Sequence, residues 1–373
     1  MSNALPPAPS ITTAGSDTPL VSICIPAYNA ERTLGRTLDS LLKQTYANIE
    51  IIVSDNHSTD ATRPLIESYA GRGVRGVTPP QPKDWLAGQP NYIGAYENCN
   101  FVLSQARGAF IALYHADDLY QPEIVQREVA FLQAHPQAGM VFTMSRRIGA
   151  DDRPLDLPVT RLPKALAGQA LFGFADLFNA LLLHGNFLPT PSAMFRAGIF
   201  QTVGYFTEQD FKTSSDLEMW LRVSRHYPVG VIDQPLLNYR ISAQQGGFVY
   251  HRLRTAPADN LHVYDHYLDQ PGVPALTHPQ ALAKHRLYQS TDKIYRARNL
   301  LTQGEVQPAR ALLDEALAPR HSLRTLLTQP LLARRLLMGV LLRASLAVGL
   351  GAALSRWLNA WYLRRMQRRL RLE

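Results

Sequence analysis

The chain has 373 residues, 46% of them hydrophobic and 18% charged, which is an ordinary globular composition and enough length for one large α/β domain with an appendage. Its formal net charge of +8 lies at the end, because residues 331–373 hold nine arginines, no lysine and one acid. The rest of the chain is therefore neutral, which disfavours a nucleic-acid-binding protein with a basic face.

The N-terminal residues 1–19 are rich in Pro, Ser, Thr and Ala and lack the basic start and apolar stretch of a signal peptide. They are predicted to be a disordered leader. Cys24 and Cys99 fall in a predicted strand and a predicted helix, without the spacing of a disulfide framework or a zinc site. We expect both to be small buried residues in a reducing compartment.

The first third of the chain alternates short apolar runs with helical patterns. Strands are predicted at 20–25, 49–54, 74–78 and 109–114, and helices around 34–42, 60–69 and 92–106. This alternation predicts an α/β fold with a mostly parallel sheet that helices cover on both faces.

The middle of the chain has a less regular pattern. It predicts a helix at 123–134, a strand at 139–144, a loop at 146–164, a helix at 170–183, a strand at 192–195 and a helix at 217–226. Beyond about Tyr250 only helices are expected, and residues 296–317 have the Ala/Leu spacing and central Gly of a helical hairpin.

Two adjacent carboxylates, Asp117 and Asp118, follow the strand predicted at 109–114. Ligands of an open parallel sheet bind outside the carboxyl ends of its strands. Two acids packed together repel, and a divalent metal shared with substrate phosphates is a common solution. The alternative is a solvated turn before Pro122 that happens to hold two aspartates.

Three segments, each at the end of a predicted strand, resemble family 2 glycosyltransferases in combination. They are the turn Pro26-Ala27-Tyr28-Asn29, the D-x-x-S-T-D segment from Asp55 to Asp60, and the acidic pair Asp117-Asp118. The resemblance implies a GT-A-type α/β domain over 20–250, with a nucleotide-binding half at 20–120 and an acceptor half at 121–250. Outside it lie a helical extension at 251–330 and the tail at 331–373.

The resemblance assigns donor-binding roles to the turn residues Pro26, Tyr28 and Asn29 and to Asp55. Asp55 would accept a hydrogen bond from a uracil imide, with Tyr28 contacting the nucleoside. Ser58, Thr59 and Asp60 instead suit a helix start, where such residues cap free N–H groups.

The acidic pair also receives roles from the resemblance. Asp117 would contact the ribose, and Asp118 would bind Mg²⁺ or Mn²⁺. His115 stands where the common D-x-D-D form has its first acid, and it could be a helper ligand or a hydrogen-bonded spectator. Asn98 and Asn100 belong to a Glu-Asn-x-Asn stretch of the family type and could orient the sugar or the acids. Asparagines weaken a helix, which argues for a tertiary partner.

Asp216 matches the family's acidic segment that supplies the catalytic base, which takes the proton of the acceptor hydroxyl in an inverting transfer. Glu218 is the second choice. Asp216 also suits a helix N-terminus, where the dipole favours an acid. Arg240 stands where the family often has a mobile loop, continued here by 242–247, and it could bind phosphate or be an ordinary surface arginine.

The tail has an apolar stretch, 336–354, that is long enough to span about 28 Å as a helix. Arg343 and three glycines oppose a clean span. The basic end favours peripheral attachment to anionic lipid, with a true span and a helical pair packed on the soluble domain as alternatives. The aromatic and basic residues of this end are Trp357, Trp361, Tyr362, Arg364, Arg365, Arg368, Arg369 and Arg371.

Together these features predict an inverting, metal-dependent glycosyltransferase that moves a sugar from a nucleotide-diphosphate sugar, a UDP-sugar by resemblance, to a glycan or lipid-linked acceptor. Cell-surface polysaccharide synthesis at the cytoplasmic face of the inner membrane would suit it. A nucleotidyltransferase is disfavoured, because no glycine-rich basic triphosphate loop is visible near the first strand. A catalytically inactive nucleotide-sugar-binding or membrane scaffold protein is the alternative of another class.

Overall fold

A computed structural model describes residues 18–80, 93–241, 254–318 and 323–370. Most of the predicted leader, the segment 242–247 and the side chains of Arg365, Arg368, Arg369 and Arg371 lie outside the described part. The chain divides into two compact units. The first comprises Met1–Ile148, Leu157–Leu177 and Asn186–Arg240, and the second comprises Gly149–Asp156, Phe178–Gly185 and Ile241–Glu373. The domain boundaries given by the sequence stay a prediction.

The first unit begins with the predicted alternation of strands and helices. Its elements are β1 (Val21–Ala27), α1 (Leu34–Leu41), β2 (Ile49–Asp55), α2 (Thr62–Ser68), β3 (Val74–Val77), α3 (Ala95–Ser104) and β4 (Phe110–Leu113). The strands lie in the order β3-β2-β1-β4 and all pair in parallel. Nearly every residue of β1 is buried, as a run apolar on both faces requires when helices cover both sides of a sheet.

The second part of this unit extends the same sheet with mixed pairing. Its elements are β5 (Leu119–Tyr120), α4 (Ile124–Ala134), β6 (Met140–Ile148), β7 (Leu171–Phe172), the start of α5 (Phe174–His184), β8 (Ala193–Arg196), α6 (Ile199–Val203), α7 (Glu208–Phe211), α8 (Ser215–His226) and β9 (Val229–Arg240). The residues of α5 from Phe178 onward belong to the second unit. The sheet continues from β4 as β8-β6-β9-β5, with β7 also on β9. Only β6 and β9 are parallel among these pairs. The predicted α/β, GT-A-type class is confirmed, and the sheet predicted to be mostly parallel is mixed, with its antiparallel pairs all made by strands of this second part.

Three details of the sequence prediction are wrong in this part. The strand predicted at 139–144 runs on to Ile148, so the predicted loop begins later. The helix predicted from 170 begins at Phe174, because Leu171 and Phe172 form β7 against β9. The long strand β9 was not predicted, since exposed Asp233 and Gln234 interrupt its apolar pattern beside register shifts in its pairing with β6.

The hydrophobic core of the first unit lies between the sheet and its helices. On α1 the buried residues Leu34, Leu38 and Leu41 recur at helical spacing and join this core. The two cysteines are buried and free, as predicted for small core residues.

The second unit is helical in its described residues beyond 254. Its helices are α9 (Asp259–Leu268), α10 (Val273–Leu276), α11 (Pro279–Thr302), α12 (Val306–Leu317), α13 (Leu323–Thr328), α14 (Pro330–Ala347) and α15 (Gly351–Leu370). The predicted hairpin is confirmed as α11 and α12, joined at Gly304 with φ of 90°. Ile294, Leu313 and Leu342, from α11, α12 and α14, meet in one apolar cluster.

The apolar stretch 336–354 is not one helix. It is divided between α14 and α15 at a turn in which Gly349 has φ of 73°. Across the described ranges, none of the helices combines the length and apolar character that crossing a membrane requires.

Candidate functional site

The predicted donor residues lie at one edge of the parallel half of the sheet. β2, β1 and β4 are neighbours, and the register pairs Ala27 at the end of β1 with Asp55 at the end of β2. Side chains that follow these strands therefore lie at the same edge. Tyr28 is 43% exposed there, whereas Asp55 is buried and accepts a hydrogen bond from the Ser58 N–H.

The loops after β1 and β2 hold each other in place. The side-chain oxygen of Asn29 accepts from the Thr59 N–H at 2.8 Å, and the Ser58 hydroxyl accepts from the Asn29 N–H at 2.9 Å. Asn29 has φ of 47°, a conformation that asparagine tolerates better than most residues. Of the three residues interpreted as a helix cap, only Asp60 contacts the start of α2, accepting from the Thr62 N–H, whereas Ser58 and Thr59 hydrogen-bond Asn29.

The backbone of the loop after β4 is hydrogen-bonded to α1. The Thr37 hydroxyl lies 3.0 Å from the Ala116 carbonyl oxygen and 2.8 Å from that of Asp118. The His115 N–H donates to the Tyr120 hydroxyl at 2.7 Å. The backbone of the acidic pair is thus anchored on both sides.

Asp118 is fully buried, and its two oxygens differ. Oδ1 accepts from the backbone N–H of Arg240 at 2.7 Å, whereas Oδ2 has no hydrogen-bond partner among the described residues. Burial raises the pKa of the Asp118 carboxyl well above its usual value, and the charge of Asp117 adds to this against the N–H and charge of Arg240. A cation at Oδ2 would relieve both the repulsion and the missing contact.

Arg240 lies at the end of β9 and is only 2% exposed, so the interpretation of an ordinary surface arginine is wrong. Its Nε donates to the backbone oxygen of Asp117 at 2.6 Å. The second part of the unit therefore contacts both residues of the acidic pair.

Three side chains around this loop have the arrangement of a metal site. His115, Asp117 and Asp118 each offer a ligand atom within 4.8 Å of the others. Burial lowers the pKa of His115, opposed by the charges of Asp117 and Asp216, and the neutral ring is the form that binds metals. Carboxylate oxygens with one imidazole suit Mn²⁺, and the carboxylates suit Mg²⁺. These three side chains therefore fit the predicted metal, and His115 is one of the candidate ligands.

Asp216 lies in the first turn of α8, where the helix-start interpretation also placed it. Its Oδ2 accepts from the Thr190 hydroxyl at 2.6 Å, and its Oδ1 accepts from the Leu217 N–H at 2.6 Å. Burial raises the pKa of Asp216, against the hydrogen bonds from Thr190 and Leu217 and the charge of His115. The charges of Asp216 and His115 affect each other's pKa, so Asp216 lies within electrostatic range of this cluster.

The sequence did not indicate three further residues of this region. Thr190 hydrogen-bonds Asp216, whereas Tyr96 donates to the backbone oxygen of Thr213 and has its pKa raised by burial and by the charge of Asp216. The Tyr239 hydroxyl lies in the field of Asp118, Asp117 and Asp216, and burial together with these charges raises its pKa. Tyr239 precedes Arg240 in the chain, which is a weak signal, and nothing in the sequence singles out Thr190.

The two asparagines of α3 have tertiary partners, as their position in a helix suggested. Asn98 accepts from the Ser54 hydroxyl at 2.5 Å. Asn100 uses its amide on the backbone of Phe206, donating at 2.8 Å and accepting at 3.0 Å. Their predicted contact with a sugar stays a prediction. Glu218, the second choice for the base, is bound by Arg222 instead.

A family model described as "Glycosyl transferase family 2" matches residues 22–204. An uncharacterized glycosyltransferase of Haemophilus influenzae is 24% identical over 266 residues, covering 68% of this chain and 76% of the relative. This chain covers 65 to 66% of the length of three further relatives.

One curated relative has a detailed name. It is the UDP-Glc:alpha-D-GlcNAc-diphosphoundecaprenol beta-1,3-glucosyltransferase WfgD of Escherichia coli, 34% identical over 113 residues, covering 30% of this chain and 41% of the relative. Among solved structures, the mannosyltransferase PcManGT from Pyrobaculum calidifontis in complex with GDP-Man and Mn²⁺ is 19% identical with a TM-score of 0.50. That likeness covers 96% of this chain and 91% of the other, and it shows the fold.

Proposed function

The chain belongs to glycosyl transferase family 2, and from that premise we propose that it is an inverting, metal-dependent enzyme that uses a UDP-sugar. The proposal rests above all on one observation. A base candidate, Asp216, interacts electrostatically with His115, which forms with Asp117 and Asp118 a cluster whose geometry suits a divalent metal. An inverting transfer needs these two parts close together, since the metal serves the leaving group and the base serves the acceptor.

The donor would lie along the edge formed by the loops after β1, β2 and β4. Tyr28, exposed, would contact the nucleoside, and Asp55 would accept from the uracil imide. Asp117 would contact the ribose. The name of the relative WfgD includes UDP-Glc as its donor, which supports a UDP-sugar here.

The metal would be held by Asp118 and His115, with Asp117 within reach. When bound, it would offset the negative charge of the diphosphate leaving group. Arg240 would add positive charge from the end of β9.

Asp216 would take the proton of the acceptor hydroxyl while that oxygen attacks the anomeric carbon from the face opposite the diphosphate. Thr190 donates to one oxygen of Asp216 and fixes its orientation. A base held in this way is pre-positioned for the acceptor.

The acceptor we propose is a glycan or a lipid-linked sugar in the synthesis of a cell-surface polysaccharide. WfgD, by its name, acts on a sugar linked to diphosphoundecaprenol, which supports the lipid-linked form. Such an acceptor is presented at the cytoplasmic face of the inner membrane, where residues 331–373 would attach the protein peripherally.

The test is release of nucleoside diphosphate from a panel of nucleotide sugars in the presence of Mn²⁺, with lipid-linked and glycan acceptors. We expect release by the wild type, loss on chelation with EDTA, recovery on adding Mn²⁺, and none from Asp118→Ala. If the wild type releases nothing with any donor and Asp118→Ala binds nucleotide equally well, the chain is an inactive nucleotide-sugar-binding protein.

A further inference from the structure

The helix α14 is apolar on two opposite sides. Its inner side, with Gly339, Leu342 and Leu346, is buried. A Cβ on Gly339 would lie 2.6 Å from the side chain of Ile294, so α14 packs closely on α11. This inner side accounts for the contribution of α14 to folding.

The opposite side of α14 faces solvent with a continuous apolar stripe. The residues Leu337, Val340, Leu341 and Val348 are 50 to 69% exposed. Ala344 is also exposed, and the spacing of the five places them along one side of a helix. We call these five residues the α14 outer face. Such a side normally faces either a core or another apolar phase.

Arg343, which opposes a clean membrane span, does not interrupt this face. Its Nε lies 2.5 Å from a carboxylate oxygen of Asp314 on α12. The guanidinium is therefore neutralised beside the stripe, and the five residues of the outer face are all uncharged.

The next helix, α15, presents a second exposed row of a different kind. Trp357 and Trp361 are exposed one turn apart, and Arg356 and Arg364 are exposed on either side of them. Tryptophan prefers the level of lipid headgroups, and arginine attracts anionic lipid while its stem packs on apolar groups. This row has the chemistry of a lipid interface.

We propose that the α14 outer face inserts into the headgroup and upper acyl region of an anionic lipid bilayer, with α14 lying in the membrane plane. Charge favours lipid over a second copy of this chain, because residues 331–373 hold nine arginines and one acid and would repel their own copy. The proposal rests on the peripheral attachment of residues 331–373 proposed above and names the face that inserts, and its test does not depend on activity.

The experiment measures binding of the full chain to sedimented vesicles made of phosphatidylcholine alone or of three parts phosphatidylcholine to one part phosphatidylglycerol. The central variant is Leu341→Gln, which removes an apolar side chain without adding charge and keeps a good helix former. The matched control is Leu276→Gln on α10, since Leu276 is 51% exposed and Leu341 is 58% exposed. Circular dichroism and the melting temperature check that each variant is folded.

We expect the wild type to sediment with the anionic vesicles, Leu341→Gln to bind about tenfold more weakly, and Leu276→Gln to bind like the wild type. The double variant Arg356→Gln with Arg364→Gln tests the charged row, and we expect it to lose about tenfold on anionic vesicles only.

Two outcomes would overturn the proposal. One is equal vesicle binding by Leu341→Gln and the wild type. The other is a wild-type dimer in sedimentation equilibrium that Leu341→Gln separates while vesicle binding is unchanged, which would assign the face to a second copy. Donor turnover is measured separately, so failure of either proposal is visible without the other.

Discussion

The two parts of the first unit contribute to the site in different ways. In residues 18–120, the candidate site residues Tyr28, Asp55 and Asp118 lie at or shortly after the ends of β1, β2 and β4, which are neighbouring parallel strands. In residues 121–240, Thr190 and Asp216 are 26 positions apart and meet only because the fold brings them together. The proposed nucleotide-binding part is assembled by the pairing of parallel strands, whereas the proposed proton-transfer part is assembled by contacts between the segment before β8 and helix α8.

The two parts are joined at the acidic pair. The Arg240 N–H holds Asp118, and its Nε holds the backbone of Asp117. We therefore expect changes in the second part to reduce turnover and leave donor binding intact. Changes in the first part should reduce donor binding.

The largest expected effect is that of Asp216→Asn. Asparagine keeps the shape of the side chain but cannot take a proton, so we expect kcat to fall by about 10³-fold, within the usual range for losing a general base. The dissociation constant for UDP should stay within about twofold, because Asp216 lies outside the donor-binding loops. Steady-state kinetics and calorimetric titration with UDP measure the two quantities.

Asp55→Asn is the matched variant in the first part. We expect UDP to bind about tenfold more weakly, since an amide can present its N–H₂ group rather than an acceptor to the uracil imide. If both variants changed binding and turnover alike, the division between the two parts would be wrong.

The success of sequence analysis follows the same division. The loops after β1, β2 and β4 were predictable because polar residues directly follow buried apolar runs, as at Asp55 and Asp117. Strand β9 was missed because Asp233, Gln234 and Pro235 interrupt its pattern, and they lie where its register against β6 shifts. The sequence therefore did not predict that Arg240 is buried at the end of a strand.

The role of Thr190 could not be predicted, because it arises from one long-range hydrogen bond. Asp216 was recognised from its surrounding segment, yet its pKa depends on burial and on groups from the loop after β4 and from residue 190. No local pattern encodes such an environment.

A smaller effect is expected from Thr190→Val, which keeps the side-chain shape and removes the hydroxyl. Burial already raises the pKa of Asp216, and the Thr190 hydrogen bond opposes that rise. Without it the pKa rises further, so the limb of kcat that increases with pH should move to higher pH by about one unit. At pH values below this limb, kcat would be about tenfold lower than that of the wild type, and at pH values above it kcat would equal that of the wild type. A pH profile of kcat measures the shift.

Thr190→Ser is the control, because it retains the hydroxyl and should retain the wild-type limb. A uniform loss at every pH in Thr190→Val, shared by the serine variant, would indicate a packing role for residue 190 and contradict its action through Asp216.

The smallest expected effect tests the support beneath the acidic loop. Tyr114 precedes His115, stacks on Tyr120 at 4.1 Å and donates to Oε2 of Glu128 on α4 at 2.7 Å. Glu128 is fully buried, and burial raises its pKa well above the usual value, against the hydrogen bond from Tyr114. This contact connects the two parts away from the reacting groups.

A raised pKa in the folded state means that the contribution of Glu128 to stability is fully present below its unfolded pKa of about 4.3 and is lost as the pH rises. Glu128→Gln has no such loss, so its melting temperature relative to the wild type should increase with pH. The slope is at most about 1.4 kcal/mol per pH unit, or about 3–6 °C per pH unit for a domain of this size. Melting curves at pH 5, 6 and 7 test this, and parallel shifts at all three values would mean that Glu128 is ionised in the folded protein.

Glu128→Gln should leave UDP binding and kcat at neutral pH near wild type, because the amide oxygen still accepts from Tyr114. The support would then be independent of the chemistry that it positions.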